Sequence, residues 1–135
     1  MFASKRKGEG GAGALAFALA VLLCAGCDEQ RQRECQELVG AMQPLDAPEG
    51  ATKVASAIPT LDAVRGVKSG VEHMTFHDQP LAIYAQNYEK TLSVLANTLE
   101  VKSSSMPPDG VDEVIKKNLK EARADADDVR RYCAQ

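Results

Sequence analysis

The chain has 135 residues, with 16 Lys plus Arg against 19 Asp plus Glu, a net charge of −3, four cysteines and no tryptophan. A chain of this size buries one small core and not two, and its acidic balance disfavours nucleic acid as a partner. It holds no Walker loop, no Gly-x-Ser-x-Gly, no His-Glu-x-x-His and no acid pair set apart for catalysis, so the sequence points away from an enzyme.

The chain opens with Lys5, Arg6 and Lys7, then a glycine-rich break from Gly8 to Gly11. A run of 15 uncharged residues follows, from Ala12 to Gly26, rich in Ala and Leu. Crossing a bilayer core of roughly 30 Å takes about 20 apolar residues, so this run has the length of a signal segment and not of a span. Its basic side stays in the cytoplasm, which sends everything after it across the membrane.

Cys24-Ala25-Gly26-Cys27 closes the run. Small residues just before a cysteine, behind a short apolar core, resemble the lipobox of bacterial lipoproteins. The resemblance implies signal cleavage between Gly26 and Cys27 and a thioether link from the Cys27 thiol to diacylglycerol. It also implies an acyl chain such as palmitate on the new amino terminus. Each buried CH₂ contributes about 0.8 kcal/mol, so two or more chains hold where one would not. The family usually has Leu three positions before the lipidated cysteine, where this chain has Cys24. Shifting the frame to Cys24 fails, because Leu22 and Leu23 are too bulky for the small site. An ordinary cleaved secretion signal and an uncleaved anchor are the competing readings. Asp28 matches the inner-membrane retention signal of enteric bacteria, with the outer membrane as the other destination.

Residues 1–26 are thus read as the signal, 27–34 as a lipidated tether and 35–135 as the folded domain. Losing 1–26 removes three basic residues and one acidic one, leaving 13 Lys plus Arg against 18 Asp plus Glu, a net of −5. Anionic headgroups would repel such a surface, so the lipid must do the holding. With Cys24 cleaved off and Cys27 lipidated, Cys35 and Cys133 remain. Two leftover thiols in a small exported domain are expected to pair, closing a loop of about 98 residues. Chain-entropy arguments give such a loop up to roughly 4.7 kcal/mol.

Four helical segments follow from the apolar spacing. The first runs from about Glu29 to Met42, with Cys35, Leu38, Val39 and Met42 on one face, and Pro44 and the 46–50 turn end it. The second covers roughly Ala51 to Met74, its apolar positions Val54, Ile58, Leu61, Val64, Val67, Val71 and Met74 recurring every three or four residues. Pro59 should break or restart it, and Gly66 and Gly70 each weaken it by about 1 kcal/mol relative to Ala. Asp78 is the expected N-cap of the third, with Pro80 just inside. Its Leu81, Ala85, Tyr88, Leu92, Leu95 and Leu99 step by four and three, the spacing of a bundle seam. Ser103 to Ser105 and Pro107-Pro108 end it. The fourth runs from the Asp109-Gly110 turn to Tyr132 or Cys133, with Ile115, Leu119, Ala122, Ala126, Val129 and Cys133 on its apolar face. Lys117–Glu121 and Arg123–Asp127 are expected as helical ion pairs.

The expected fold is therefore all-α, a small antiparallel four-helix bundle stapled terminus to terminus. An even number of up-and-down helices returns Cys133 to the end where Cys35 begins, with the loop between the second and third helices on the same side. Seven residues separate Cys27 from Cys35, so an extended link reaches roughly 25 Å.

Few residues invite chemistry. His73 and His77 have metal-ligand spacing if both lie on one helix face, but Thr75-Phe76 and Asp78-Gln79-Pro80 put them in a loop, and no metal is expected. Tyr84, Tyr88 and Tyr132 read as seam residues with their hydroxyls at the surface. Glu121, Asp125 and Asp128 read as a solvated acidic face that a basic partner would suit. The sequence is read as a membrane-anchored binding or scaffolding module at the periplasmic face, without cofactor and with its protein partner unspecified. The alternative is a carrier of a small apolar ligand or haem, which would need Met42, Met74 or His73 to retain it.

Overall fold

The computed structural model describes residues 12–46 and 58–135, with side chains from Gly26 onward. The basic start and glycine break within 1–11, residues 47–50 of the expected turn and residues 51–57 of the expected second helix lie outside the described residues. Four helices make up the rest: α1 (Ala12–Met42), α2 (Leu61–Glu72), α3 (Gln79–Lys102) and α4 (Val111–Cys133). A single 3-10 turn, Gln43–Leu45, follows α1, and there is no strand among the described residues.

Each boundary has a local chemical cause. The Thr60 hydroxyl accepts from the Ala63 N–H at 3.2 Å, capping α2 directly after Pro59. The second helix therefore begins at Leu61 and is shorter than its apolar spacing suggests: Pro59 restarts the chain, and the cap fixes where. The Asp78 carboxylate accepts from the Leu81 N–H at 2.9 Å, with Pro80 in the first turn of α3. Gly110 enters α4 at φ 80°, a left-handed conformation that glycine adopts without steric cost.

The core is the meeting of four apolar stripes. Leu38 and Met42 of α1, Val64 of α2, Leu81, Leu92 and Leu95 of α3, and Ile115 and Val129 of α4 are all wholly buried. The whole α3 seam, from Leu81 to Leu99, lies inside, as do Ile115, Leu119, Ala122, Ala126 and Val129. α3 packs against α2 on one side and α4 on the other. Tyr84 meets Tyr132, Thr91 meets Asp125 and Thr98 meets Asn118, pairings that descend α4 as they climb α3, so these two helices run in opposite directions. Asn118 is a buried polar side chain; its amide donates to the Thr98 hydroxyl at 2.9 Å, so it costs no unpaired group.

Two expectations about the surface change. The segment 27–34 is not an extended tether but part of α1. At a helical rise of 1.5 Å per residue, Cys27 stands about 12 Å along the axis from Cys35, within the roughly 25 Å that an extended link would reach. The reason is tertiary: Glu34 is only 7% exposed and tied to the start of α3, which holds the helix in place. On α4 the expected Lys117–Glu121 pair is not formed among the described residues, while Asp127 pairs with Arg130 at 3.0 Å and Arg131 with Asp128 at 3.0 Å. Arg130 also reaches Asp46 beyond the 3-10 turn, which fastens that turn to α4.

Leu92 and Leu95 sit at the centre of the α3 seam at 0% exposure. Leu92→Ala or Leu95→Ala is expected to cost about 2–5 kcal/mol, the lost transfer energy plus the cavity left behind. Urea denaturation followed by circular dichroism should show the midpoint fall without change of slope.

Candidate functional site

The chemistry of this chain collects at one end of the bundle. There α1 presents Cys27, Gln30, Arg31, Glu34 and Cys35, the α2–α3 loop brings His77 and Asp78, and α4 ends in Tyr132 and Cys133. Cys35 and Cys133 are bonded, with Cα atoms 5.6 Å apart, inside the range a disulfide spans without backbone movement. Cys27 is a free, exposed cysteine on the same helix. The expected pairing and the expected side of the α2–α3 loop are thus both met.

Glu34, which sequence reasoning did not single out, joins these elements. Its carboxylate accepts from the backbone N–H of His77 at 3.0 Å and of Asp78 at 3.2 Å. The His77 Nδ1 lies 3.1 Å from Glu34 Oε1. Burial is the largest influence on the carboxyl and works to raise it. The His77 and Asp78 amides, the His77 ring and the Gln30 side chain together outweigh burial and hold Glu34 below its ordinary 4.5. A carboxylate so placed neutralises the amide-rich start of α3 from outside that helix.

Asp78, next along, serves two partners: it caps Leu81, and Oδ1 accepts from the Tyr132 hydroxyl at 2.9 Å. Burial, with help from that bond, raises the Tyr132 phenol. Tyr132 also stacks against Tyr84, ring centres 5.3 Å apart, and the Arg31 guanidinium lies 6.0 Å from its ring centre. The result is a closed polar knot in which α1, α3 and α4 are each tied to the other two. No sequence signal marked Glu34, which sits in a run of charges (Arg31, Arg33, Glu37) with no distinguishing spacing.

Other singled-out residues are dispersed. His73 caps α2 and its Nδ1 lies 2.7 Å from the Ser69 carbonyl, while His77 engages Glu34, so the two rings have separate partners. No cluster of three or more His, Cys, Asp or Glu able to hold a metal occurs among the described residues. Met42 is sealed in the core and Met74 packs against its edge, while His73 is exposed. Tyr88 is buried away from the Tyr84–Tyr132 pair, in the floor of an open cleft of about 320 Å³ bordered by Asp46 and Arg130. Burial, then the Asp46 carboxylate, pushes its phenol up.

Glu34 is depressed in the folded state, so its stabilisation is present above 4.5 and is lost as pH falls through the lower folded value. Glu34→Gln, which turns an amide donor toward other donors, should cost about 1.5–3 kcal/mol at pH 7. It should also flatten the loss of stability between pH 5 and pH 3, read by urea midpoints at each pH. Cys35→Ser or Cys133→Ser is expected to cost about 2–5 kcal/mol, and the double variant about the same as either alone, measured by thermal melting. Comparison with known protein families, characterised proteins and solved structures finds no match for this chain.

Proposed function

We propose that this chain is a bacterial lipoprotein, held by lipid on Cys27 at the periplasmic face of a membrane, where its four-helix domain serves as a binding and scaffolding module. The observation that supports it is the division of labour among the cysteines. Cys35 and Cys133 are bonded to each other, while Cys27 is free and exposed. A paired disulfide suits an oxidising compartment, and a free thiol just behind two small residues suits a lipid attachment site.

No helix among the described residues is long and apolar enough to cross a membrane; in the proposed arrangement the acyl chains on Cys27 do the holding. Lipid at Cys27 and a helical connection to Cys35 hold the disulfide end of the bundle near the bilayer, with the α3–α4 turn at the far end. A mature surface of net −5 would not adhere to anionic headgroups unaided. Presentation of the helical surface to another protein is then the role left to the domain.

Intact mass of the protein extracted from membranes, with and without reduction and alkylation, tests this. The expected species starts at Cys27, carries diacylglycerol and an acyl chain, and takes up alkylating reagent only after reduction. Cys27→Ser should shift the protein to the uncleaved precursor and abolish the added lipid mass. An unmodified soluble chain with two alkylatable thiols would overturn both the compartment and the anchor.

A further inference from the structure

α3 carries a second seam, turned away from the core. Ile83, Asn87, Lys90, Val94, Asn97 and Val101 are spaced by four and three alternately, offset by two residues from the buried stripe, and all six are exposed. An offset of two places this stripe on the opposite side of the helix. The large exposed hydrophobics of the described chain are Ile83, Val94, Val101, Val114 and Met106, at 58%, 47%, 45%, 49% and 87%. Ile83, Val94 and Val101 belong to the stripe, and Val114 faces Val94 and Val101 across a groove of about 350 Å³ between α3 and α4. Isolated surface valines need no explanation; this concentration on one face does.

The charges on the same face are self-complementary. A second groove of about 340 Å³ continues the first, with Lys90 on the α3 lip and Glu121 and Asp125 on the α4 lip. Lys90 and Glu121 make no ion pair among the described residues, and Asp125 is engaged by the Thr91 hydroxyl. A two-fold interface sets the same patch of two copies against each other, so each copy's cation can meet the other's acidic lip.

We infer that the outer face of α3 and α4 binds a second copy of this chain, forming a parallel dimer along the α3 seam. Taken as heptads, Asn87, Val94 and Val101 fall at one core position and Ile83, Lys90 and Asn97 at the other. β-branched residues at the first position favour two strands, and a polar Asn there sets register and partner number at some cost in stability. Val94 then packs on Val94 of the other copy and Val101 on Val101. Asn87 pairs with Asn87, and the two Lys90 side chains, adjacent across the two-fold axis, part and turn each to Glu121 and Asp125 of the other copy, whose level they share because Thr91 bonds Asp125. The parallel sense rests on the anchoring proposed above: two copies held through Cys27 in one membrane must run the same way. The dimer itself does not depend on the lipid.

Cysteine crosslinking of the full chain in isolated membranes, under mild oxidation, tests the arrangement. Val101→Cys alone should give a disulfide-linked band of twice the monomer mass, lost on reduction, while Ser69→Cys on α2 should give none. Adding Lys90→Glu should abolish the Val101→Cys band, and adding Glu121→Lys to that variant should restore it. Thermal melting of each variant checks that the domain is folded. A band from Ile83→Cys with Val101→Cys together, but not from Val101→Cys alone, would overturn the parallel dimer in favour of an antiparallel one. Folded, lipidated protein with no band overturns the interface. Lipid mass is read on the membranes and on the soluble fraction, so an unlipidated soluble chain whose Val101→Cys band persists with Cys24→Ser and Cys27→Ser overturns the anchor and supports the interface.

Discussion

Everything in this molecule depends on bringing Cys35 in the first helix and Cys133 at the end of the last to one place. The Cys35–Cys133 bond joins the second half of α1 to the last residue of α4, across 98 positions. A small all-helical domain buries too little surface to be generous with stability, and a staple over so long a loop removes a large part of the freedom of the unfolded chain. The staple does not act alone. Beside it Glu34 accepts the amides that open α3, and Tyr132, next to Cys133, donates to the residue that caps α3. Covalent and polar ties converge within one turn of helix, and three of the four helices share them.

α3 is the axis about which the rest is arranged. It is the longest helix wholly within the domain, and it packs on α2 and α4 at once. Its apolar seam never breaks from Leu81 to Leu99, and its cap, Asp78, doubles as the acceptor for Tyr132. The far end of the bundle is held differently. There Lys102 pairs with Asp112 at 2.6 Å and Arg65 with Glu100 at 3.2 Å, between side chains open to solvent. Such pairs contribute little each, so the distal end is held mainly by the core beneath it. The two ends thus differ in kind: one knotted by buried polar groups and a disulfide, the other bounded by exposed valines and surface ion pairs.

That asymmetry is consistent with the attachment proposed at Cys27, which lies at the knotted end. With the anchor proposed at Cys27, the helical run from Cys27 to Cys35 would transmit its position to the domain, where an extended link would let the domain swing. A helix in place of a tether also narrows the orientations available to the grooves along α3 and α4. Surface recognition then costs less ordering on binding.

Much of this was legible in the residues taken in order. The helix boundaries at Asp78, Ser103 and Gly110, the seam of α3, the buried face of α4 and the pairing of Cys35 with Cys133 all follow from local rules: capping, glycine and proline geometry, apolar period and cysteine count. Those rules act within a few residues and leave a periodic trace. The start of α2 at Leu61 was half legible, because Pro59 announces a break while the apolar pattern runs through it. What the linear chain left open were interactions between distant, unremarkable side chains. Glu34 has the same neighbours in sequence as any surface glutamate. Only packing α1 against the α2–α3 loop buries Glu34 and makes a polar knot. By itself, then, the sequence determined the elements and the covalent closure, since both are encoded in local spacing. The tertiary structure decided which polar groups lost water and which found partners, because desolvation is a property of assembled surfaces.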